Sequence, residues 1–422
     1  EIMKTETGAT KVEHRFQEIL SQANGEYKAT HGEGFWSDHW TYNLDLIEGY
    51  LRIYPDRLQA MLLEEFAYRF FDSPYRILPR ELKIVETKNG LRQYGAIALD
   101  QEKLDRHQRK ASETAWVCSQ FGEGQVVQVS LMAKLISLIA MKFSILDPMG
   151  MGIEMEAGKP GWNDALNGLP GLFGSSMAEQ VELMRLVRFV FDSIGKLESK
   201  AVNVPKEIAG HWMKLMAFTQ SHLEGATSDY EYWDYVHTLL EQTRDEVRFG
   251  LSGQEEEMDF DHLQKDLKTI LKKLQAGQKK AAEYGDGLLP TFFTFIFRWK
   301  EGVSKECMLF ERLKLVACRP LPSFLEAPAR LMKTMNREEG AVLHRQAKAS
   351  DLYDRKLGMM KTSVPIGKES MEIGRIRAFT PGWFERESVF LHMSYKYMLA
   401  LLQSGQQEAF YKDAKHALIP FL

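Results

Sequence analysis

The chain has 422 residues, of which 44% are hydrophobic and 27% are charged, and these ordinary globular values exclude a disordered chain or a coiled-coil fibre. The formal net charge is -4 and no long basic block occurs, so we expect no nucleic-acid partner. The longest strongly apolar stretch, 131–145, carries Lys134 and Lys142 and is shorter than the roughly 20 residues of a membrane span, so we expect no membrane partner either.

The cysteine pattern limits which cellular compartment and which metal sites we expect. Cys118, Cys307 and Cys318 are odd in number and far apart, with no Cys-x-x-Cys pair and no histidines at metal-ligand spacing. This pattern predicts a reducing compartment, which we take to be the cytoplasm, and a protein without a bound metal.

Apolar residues recur at helical spacing along most of the chain. The predicted helices are 12–22, 44–66, 103–112, 126–143, 178–197, 206–223, 230–248, 260–282, 323–335, 341–357, 387–403 and 408–418. Strand-like runs at 90–99 and 374–379 are typical of hairpins inserted between helices. The predicted fold class is mainly α, and about a dozen helices of comparable length suit a toroid of paired helices.

Three long segments interrupt the helices, at 30–43, 147–176 and 374–392, and long loops are uncommon unless they are functional. Four of the eight tryptophans, Trp36, Trp40, Trp162 and Trp383, lie in them. Loop aromatics outside a core are available to stack on a flat ligand face, and sugars present such faces. These residues therefore predict a sugar-binding cleft.

The middle segment is rich in glycine but has neither the Gly-x-Gly-x-x-Gly nor the Walker pattern, so a nucleotide site is not indicated. Its glycines permit close turns that can direct Trp162, Asn163 and Asp164 into a cavity. The alternative is that Asp164 caps the next helix and Trp162 fills the core.

The run Trp162-Asn163-Asp164, followed by Asn167 in a glycine-rich loop, resembles the Trp-Asn-Asp signature of the inverting cellobiose and chitobiose phosphorylase family. In that family the aspartate is the general acid, and the tryptophan and asparagine shape the sugar site. The resemblance implies that Asp164 is catalytic and that Trp162 and Asn163 bind substrate.

A second match follows in the same order along the chain. Residues 374–385, with His392 seven residues later, are similar without gaps to the family's Gly-Tyr-Ile-Lys-Gly-Tyr-x-Pro-Gly segment, its glutamate and its phosphate-binding histidine. The resemblance implies Glu385 at the sugar site, with Trp383 as a stacking ring. It also implies His392 and Arg377 on phosphate, joined by Arg375 on the same face if the stretch is extended. Without the resemblance, His392 at the start of an amphipathic helix is typical of a structural histidine.

The first segment resembles the family's Gly-Tyr/Phe-Arg-Asp, whose arginine and aspartate hold the non-reducing sugar. Asp38 is present, but Trp36 and Ser37 stand where the arginine is expected. His39 is a substitute donor, and Asn43 and Asp45 offer a shifted alternative. The predicted sugar contacts in this segment are Trp36, Asp38, His39 and Trp40.

The resemblance covers nearly the whole chain but only the catalytic helical barrel of such enzymes, whose members add a β-sandwich before the barrel and a β-rich cap after it. It implies that 1–422 is a single (α/α)6 barrel domain with short β-hairpin insertions, a segment of a longer protein with flanking β-domains. A homodimer is expected at the level of the family, and a divergent phosphorylase-like branch is the nearest match.

The predicted reaction is inverting phosphorolysis of a β-linked glucan or disaccharide, with Asp164 as general acid, inorganic phosphate as nucleophile and no other cofactor. Phosphate attacks without a base, whereas an inverting hydrolase needs a second carboxylate. Two alternatives remain open. One is an inverting β-glucanase or glucosidase with Glu154, Glu156 or Glu385 as base, and the other is a non-catalytic carbohydrate-binding scaffold.

Overall fold

A computed structural model of the chain describes residues 14, 15, 17, 18, 21, 39–109, 116–159, 161–304, 306, 307 and 309–417. About 52% of the chain is helical, and the sheets are small, so the mainly-α class is confirmed. The helices are α1 (Trp40–Ile53), α2 (Arg80–Lys83), α3 (Gln101–Arg109), α4 (Leu131–Phe143), α5 (Met177–Ile194), α6 (Lys206–Leu223), α7 (Asp229–Glu246), α8 (Phe260–Ala282), α9 (Leu309–Arg312), α10 (Glu326–Met332), α11 (Arg337–Ala349), α12 (Leu391–Gln403) and α13 (Gln407–Ala417).

A capping side chain or a proline marks the start of two long helices. Ser176 accepts a hydrogen bond from the backbone of Glu179 at the start of α5, and Pro205 immediately precedes α6. The predicted helix 44–66 is shorter in the structure, because α1 ends before Pro55 and a 3-10 turn and a π turn follow it. The predicted helix 12–22 lies mostly outside the described residues.

The strands form small antiparallel sheets between the helices. They are β1 (Tyr75–Ile77), β2 (Ile84–Thr87), β3 (Gly90–Gln93), β4 (Ile97–Leu99), β5 (Ile153–Glu154), β6 (Ser175–Ser176), β7 (Ala201–Pro205), β8 (Glu255–Asp259), β9 (Phe292–Trp299), β10 (Leu313–Pro320), β11 (Tyr353–Asp354) and β12 (Met359–Met360). The largest sheet has the order β10-β9-β6-β5. Strands β5 and β6 of the glycine-rich loop pair with each other, and β6 also pairs with the hairpin of β9 and β10.

Two strand predictions differ from the structure. The run 90–99 does contain strands, but β3 pairs with β2 and β4 pairs with β1 instead of forming one hairpin. The run 374–379 was wrongly predicted as extended: Arg375–Arg377 is a 3-10 turn. Gly374 begins this turn at φ 126, a conformation that favours glycine.

Helix α5 lies in the middle of the largest apolar cluster, packed against α4, α8 and α10. Every residue from Met177 to Val187 is buried, including the charged Glu179, Glu182 and Arg185. Because buried charges must be paired, these side chains form ion pairs with residues of the neighbouring elements. Within the described residues, no helix combines the length and the apolar composition needed to cross a membrane.

Candidate functional site

One buried carboxylate holds the start of the glycine-rich loop. Asp147 accepts hydrogen bonds from the backbone N–H groups of Met149 (3.0 Å), Met151 (2.9 Å) and Gly152 (2.6 Å) and from the hydroxyl of Ser175 (2.8 Å). Burial raises the pKa of Asp147 to about 6, although these donors act in the opposite direction. These hydrogen bonds fix the start of the glycine-rich loop and join it to Ser175 near the end of the same loop.

The glycine-rich loop and the segment 374–392 meet at a close backbone approach. A Cβ on Gly168 would lie 1.9 Å from the carbonyl oxygen of Glu372, and one on Gly374 would lie 2.5 Å from Oδ1 of Asn167. Asn167 Oδ1 also accepts the backbone N–H of Arg375 at 3.0 Å. These contacts bring together two of the three segments that sequence reasoning selected.

Asp164 faces the second segment. It lies in a 3-10 turn, Asp164–Leu166, and its Oδ2 accepts a hydrogen bond from Nη2 of Arg375 at 2.5 Å. The side chain is 27% exposed, and that of Arg375 is 44% exposed. Ser176, not Asp164, caps α5, so the capping alternative for Asp164 does not describe the structure.

Glu385 is the second carboxyl at this position, and it is hydrogen-bonded to Asp164. Burial, the hydrogen bond to Asp164 and the Asp164 charge raise the pKa of Glu385 to about 7, and Arg375 only partly offsets them. Two carboxyls in contact retain one proton between them. Glu385 therefore holds a proton near neutral pH.

His392 lies against the tryptophan of the Trp-Asn-Asp run. Nε1 of Trp162 donates to Nε2 of His392 at 3.4 Å, and the two ring centroids are 5.2 Å apart. Burial and the charges of Lys396 and Arg330 lower the pKa of His392. Because an indole N–H can only donate, Nε2 is the acceptor and the proton of the neutral ring lies on Nδ1.

Three further residues of this cluster were missed by sequence reasoning. Nζ of Lys396 lies 5.1 Å from the Trp162 ring centroid and donates a short hydrogen bond to the hydroxyl of Tyr42. The guanidinium carbon of Arg330 lies 5.6 Å from the centroid of the Tyr42 ring. Lys396 follows His392 by four residues on α12, a spacing that places both on one helix face and could have indicated it. Tyr42 and Arg330 carry no comparable signal.

Arg377 does not join this group. In the 3-10 turn it no longer shares a face with Arg375, and its Nε donates to the carbonyl oxygen of Glu369 at 2.8 Å. Arg375, also predicted as a phosphate ligand, is held by Asp164. The cations nearest His392 are Lys396 and Arg330 instead.

The predicted sugar contacts fall in different surroundings. Asn163 is 2% exposed, and neither its amide nitrogen nor its amide oxygen has a partner within the described part of the chain. Trp383 is 55% exposed and packs against Phe384, with ring centroids 4.5 Å apart. Trp36 and Asp38 lie outside the described residues.

The start of α1 supplies His39 and Trp40. His39 is exposed, with its ring 6.1 Å from that of Tyr42. Trp40 is buried, and its Nε1 lies 3.5 Å from Glu179 Oε2. It borders an apolar cavity of about 600 Å³ rather than the Asp164 carboxyl.

The two other candidate bases, Glu154 and Glu156, are buried and already paired. Glu154 accepts from Nε1 of Trp233 at 2.6 Å and contacts Nε2 of His237 at 3.1 Å. Glu156 is hydrogen-bonded by Arg244 and lies 3.6 Å from Nζ of Lys83.

Glu154, Glu156 and His237 also place ligand atoms within 4.8 Å of one another. Because Lys83 and Arg244 already neutralise Glu156, this cluster does not fit a metal cation.

No family model matches the chain, and no curated protein matches it.

Proposed function

We propose that this chain is the (α/α)6 barrel domain of an inverting glycoside phosphorylase that acts on a β-linked glucan or disaccharide. The observation that carries the proposal is the proton-retaining pair of Asp164 and Glu385 beside the contact between Trp162 and His392. An acid for the leaving oxygen and a cation for phosphate are the two elements that phosphorolysis requires, and Lys396 near Trp162 and His392 supplies the cation.

Asp164 delivers the proton in this proposal, after receiving it from Glu385 across their hydrogen bond. The glycosidic C–O bond breaks as the carboxyl proton of the pair passes to the leaving oxygen, and a phosphate oxygen forms the new bond to the anomeric carbon from the opposite face. The product is an α-glycosyl phosphate. Arg375, already in contact with Asp164 at 2.5 Å, stabilises the carboxylate left after proton transfer.

His392 and Lys396 are the groups that meet phosphate, and Arg330 lies buried behind them in an ion pair with Glu182. Lys396 and Arg330 are cations whose charge reaches His392, and Nδ1 of the neutral histidine is a donor. A dianion offsets the repulsion between these like charges. Asn163, buried and without an internal partner, supplies an unused donor and acceptor next to the acid.

The carboxyl separation favours this reaction over hydrolysis. An inverting hydrolase places its acid and base about 6.5–9.5 Å apart to admit a water molecule. Asp164 and Glu385 are in hydrogen-bond contact, and Glu154 and Glu156 are occupied by Trp233 and Arg244. The three glutamates considered as bases, Glu385, Glu154 and Glu156, are therefore each engaged with another group.

The test is phosphate dependence. The chain is incubated with β-linked glucose disaccharides with and without inorganic phosphate, and glycosyl phosphate and free sugar are measured. We expect glycosyl phosphate only when phosphate is present, and a His392→Asn variant with a raised Michaelis constant for phosphate. His262→Asn, a change at an exposed histidine on α8, is the matched control. Release of two free sugars without phosphate would establish hydrolysis instead.

A further inference from the structure

A polar crevice outside the candidate site carries an unusual density of cations. It has a volume of about 410 Å³ and lies between α1, α5 and the end of α10. Its lining includes four cationic side chains: Arg52, Arg185, Arg188 and Lys333. An adjoining lobe of about 420 Å³ shares Arg52, Arg185 and Arg188 and adds Lys196 and Asp192.

Two of these cations are already neutralised. Arg185 bonds Glu182 and Asp45, each at 2.6 Å. Lys333 bonds the same two carboxylates, at 3.2 Å and 3.1 Å. These pairs form the floor of the crevice and hold its shape.

The other two are not neutralised. Neither Arg52 nor Arg188 has a hydrogen-bond or ion-pair partner among the residues that the structure describes, and neither does the buried Nε of Arg185. The carboxylate in the wall of the first lobe, Glu48, lies 3.5 Å from Arg185. The cationic side chains that line the two lobes outnumber the lining carboxylates, Glu48 and Asp192, so the cations still repel one another. A bound anion reduces that repulsion.

We propose that this crevice binds a phosphate dianion, either free or as the phosphate group of a sugar phosphate. Guanidinium groups from α1 and α5 present planar donor pairs, which match phosphate oxygens in a bidentate manner. The volume lies within the range of about 300–1,000 Å³ that is typical of small-molecule sites.

The crevice is separate from the candidate site, and one carboxylate, Glu182, bonds residues of both. Its lining includes neither Asp164, Glu385 nor His392. Glu182, which binds Arg185 and Lys333, also accepts a hydrogen bond from Arg330 at 2.9 Å. The inference stands on the crevice alone and does not depend on the proposed reaction.

The experiment is a calorimetric titration in phosphate-free buffer of low ionic strength, with inorganic phosphate in one arm and glucose 6-phosphate in the other. The test variant is Arg52→Gln combined with Arg188→Gln, and the control is Arg298→Gln, an exposed arginine on β9. Because Arg52 and Arg188 have no partners to lose, we expect the test variant to fold with an unchanged melting temperature.

We expect the double variant to raise the dissociation constant at least about tenfold for the probe that binds, since a hydrogen bond to a charged group contributes roughly 1.5–3 kcal/mol. The control variant retains the wild-type value. Tighter binding of glucose 6-phosphate than of inorganic phosphate assigns the site to a sugar phosphate, and the reverse assigns it to the free anion.

A third variant, His392→Asn, distinguishes this site from the candidate site. Binding that persists in His392→Asn and is lost in the double variant supports the crevice. Binding that is lost in His392→Asn and persists in the double variant overturns the crevice and supports the proposed function. Absence of binding of both probes to the wild-type chain overturns the crevice as well.

Discussion

Two pairs of acidic residues in the described part of the chain have surroundings that differ in the number of cations. Asp164 and Glu385 contact each other and share one arginine, Arg375. Glu154 and Glu156 are buried among neutralising partners, which for Glu156 are Arg244 and Lys83. Burial acts to raise the pKa of both glutamates, Glu385 and Glu156.

The pKa values of Glu385 and Glu156 shift in opposite directions. The pKa of Glu385 is raised to about 7, whereas Arg244 and Lys83 overcome burial and hold the pKa of Glu156 far below its usual range. A carboxyl that retains its proton can donate it, and one that is permanently ionised can only serve structure. The number of adjacent cations, more than burial, separates a candidate acid from a structural ion pair.

The largest expected effect is at the first pair. Asp164→Asn keeps the shape of the side chain and removes the transferable proton, so we expect turnover to fall about 10²–10⁴-fold with no change in melting temperature. Steady-state kinetics and thermal unfolding measure the two effects. Asp286→Asn, at an exposed aspartate, is the matched control. Full activity in Asp164→Asn would remove this residue from catalysis, and unfolding would indicate a structural role.

The second expected effect is a loss of stability, rather than of activity, at the other carboxyl pair. Glu156→Gln leaves Arg244 and Lys83 facing a neutral group, and breaking a buried pair by removing one partner costs about 3–5 kcal/mol. Denaturant unfolding measures this loss, with Glu301→Gln at an exposed position as control. An unchanged free energy of unfolding in Glu156→Gln would show that the two carboxyl pairs do not differ as their surroundings indicate.

The smallest expected effect is the pH dependence, and its sign differs between the pairs. For Glu385 the raised pKa means that the folded state holds the proton more tightly, so its contribution to stability is present below its ordinary pKa and is lost as pH rises through about 7. For Glu156 the lowered pKa means that its contribution is present above its ordinary pKa and is lost as pH falls.

Glu385→Gln and Glu156→Gln separate these two contributions in pH-dependent unfolding. We expect Glu385→Gln to flatten the stability profile between about pH 4.5 and 7, and Glu156→Gln to flatten it on the acid side. Asp147, whose pKa is raised to about 6, acts in the same direction as Glu385, so the difference between wild type and Glu385→Gln isolates one group. Identical profiles for Glu385→Gln and wild type would contradict the shared proton.

Local patterns in the sequence were sufficient to predict the positions of long helices such as α5 and α6. Apolar spacing located α5 and α6 to within a few residues, because periodicity is a short-range property. The hairpin of β9 and β10 was missed, since its pairing joins residues that local spacing does not relate. Arg375–Arg377 was misassigned because its turn depends on packing against Asn167.

The resemblance of two sequence motifs to one family indicated Trp162, Asp164, Glu385 and His392 as one group. The sequence could not indicate that Arg375 binds Asp164, that Arg377 turns toward Glu369, or that the charge of Arg330 acts on His392. Those contacts join residues that lie far apart along the chain or that depend on a local turn. Protonation follows from such contacts, because the pKa of a carboxyl is set by the charges and burial around it and not by its position in a motif. Tertiary structure alone therefore decided which carboxyl pair retains a proton.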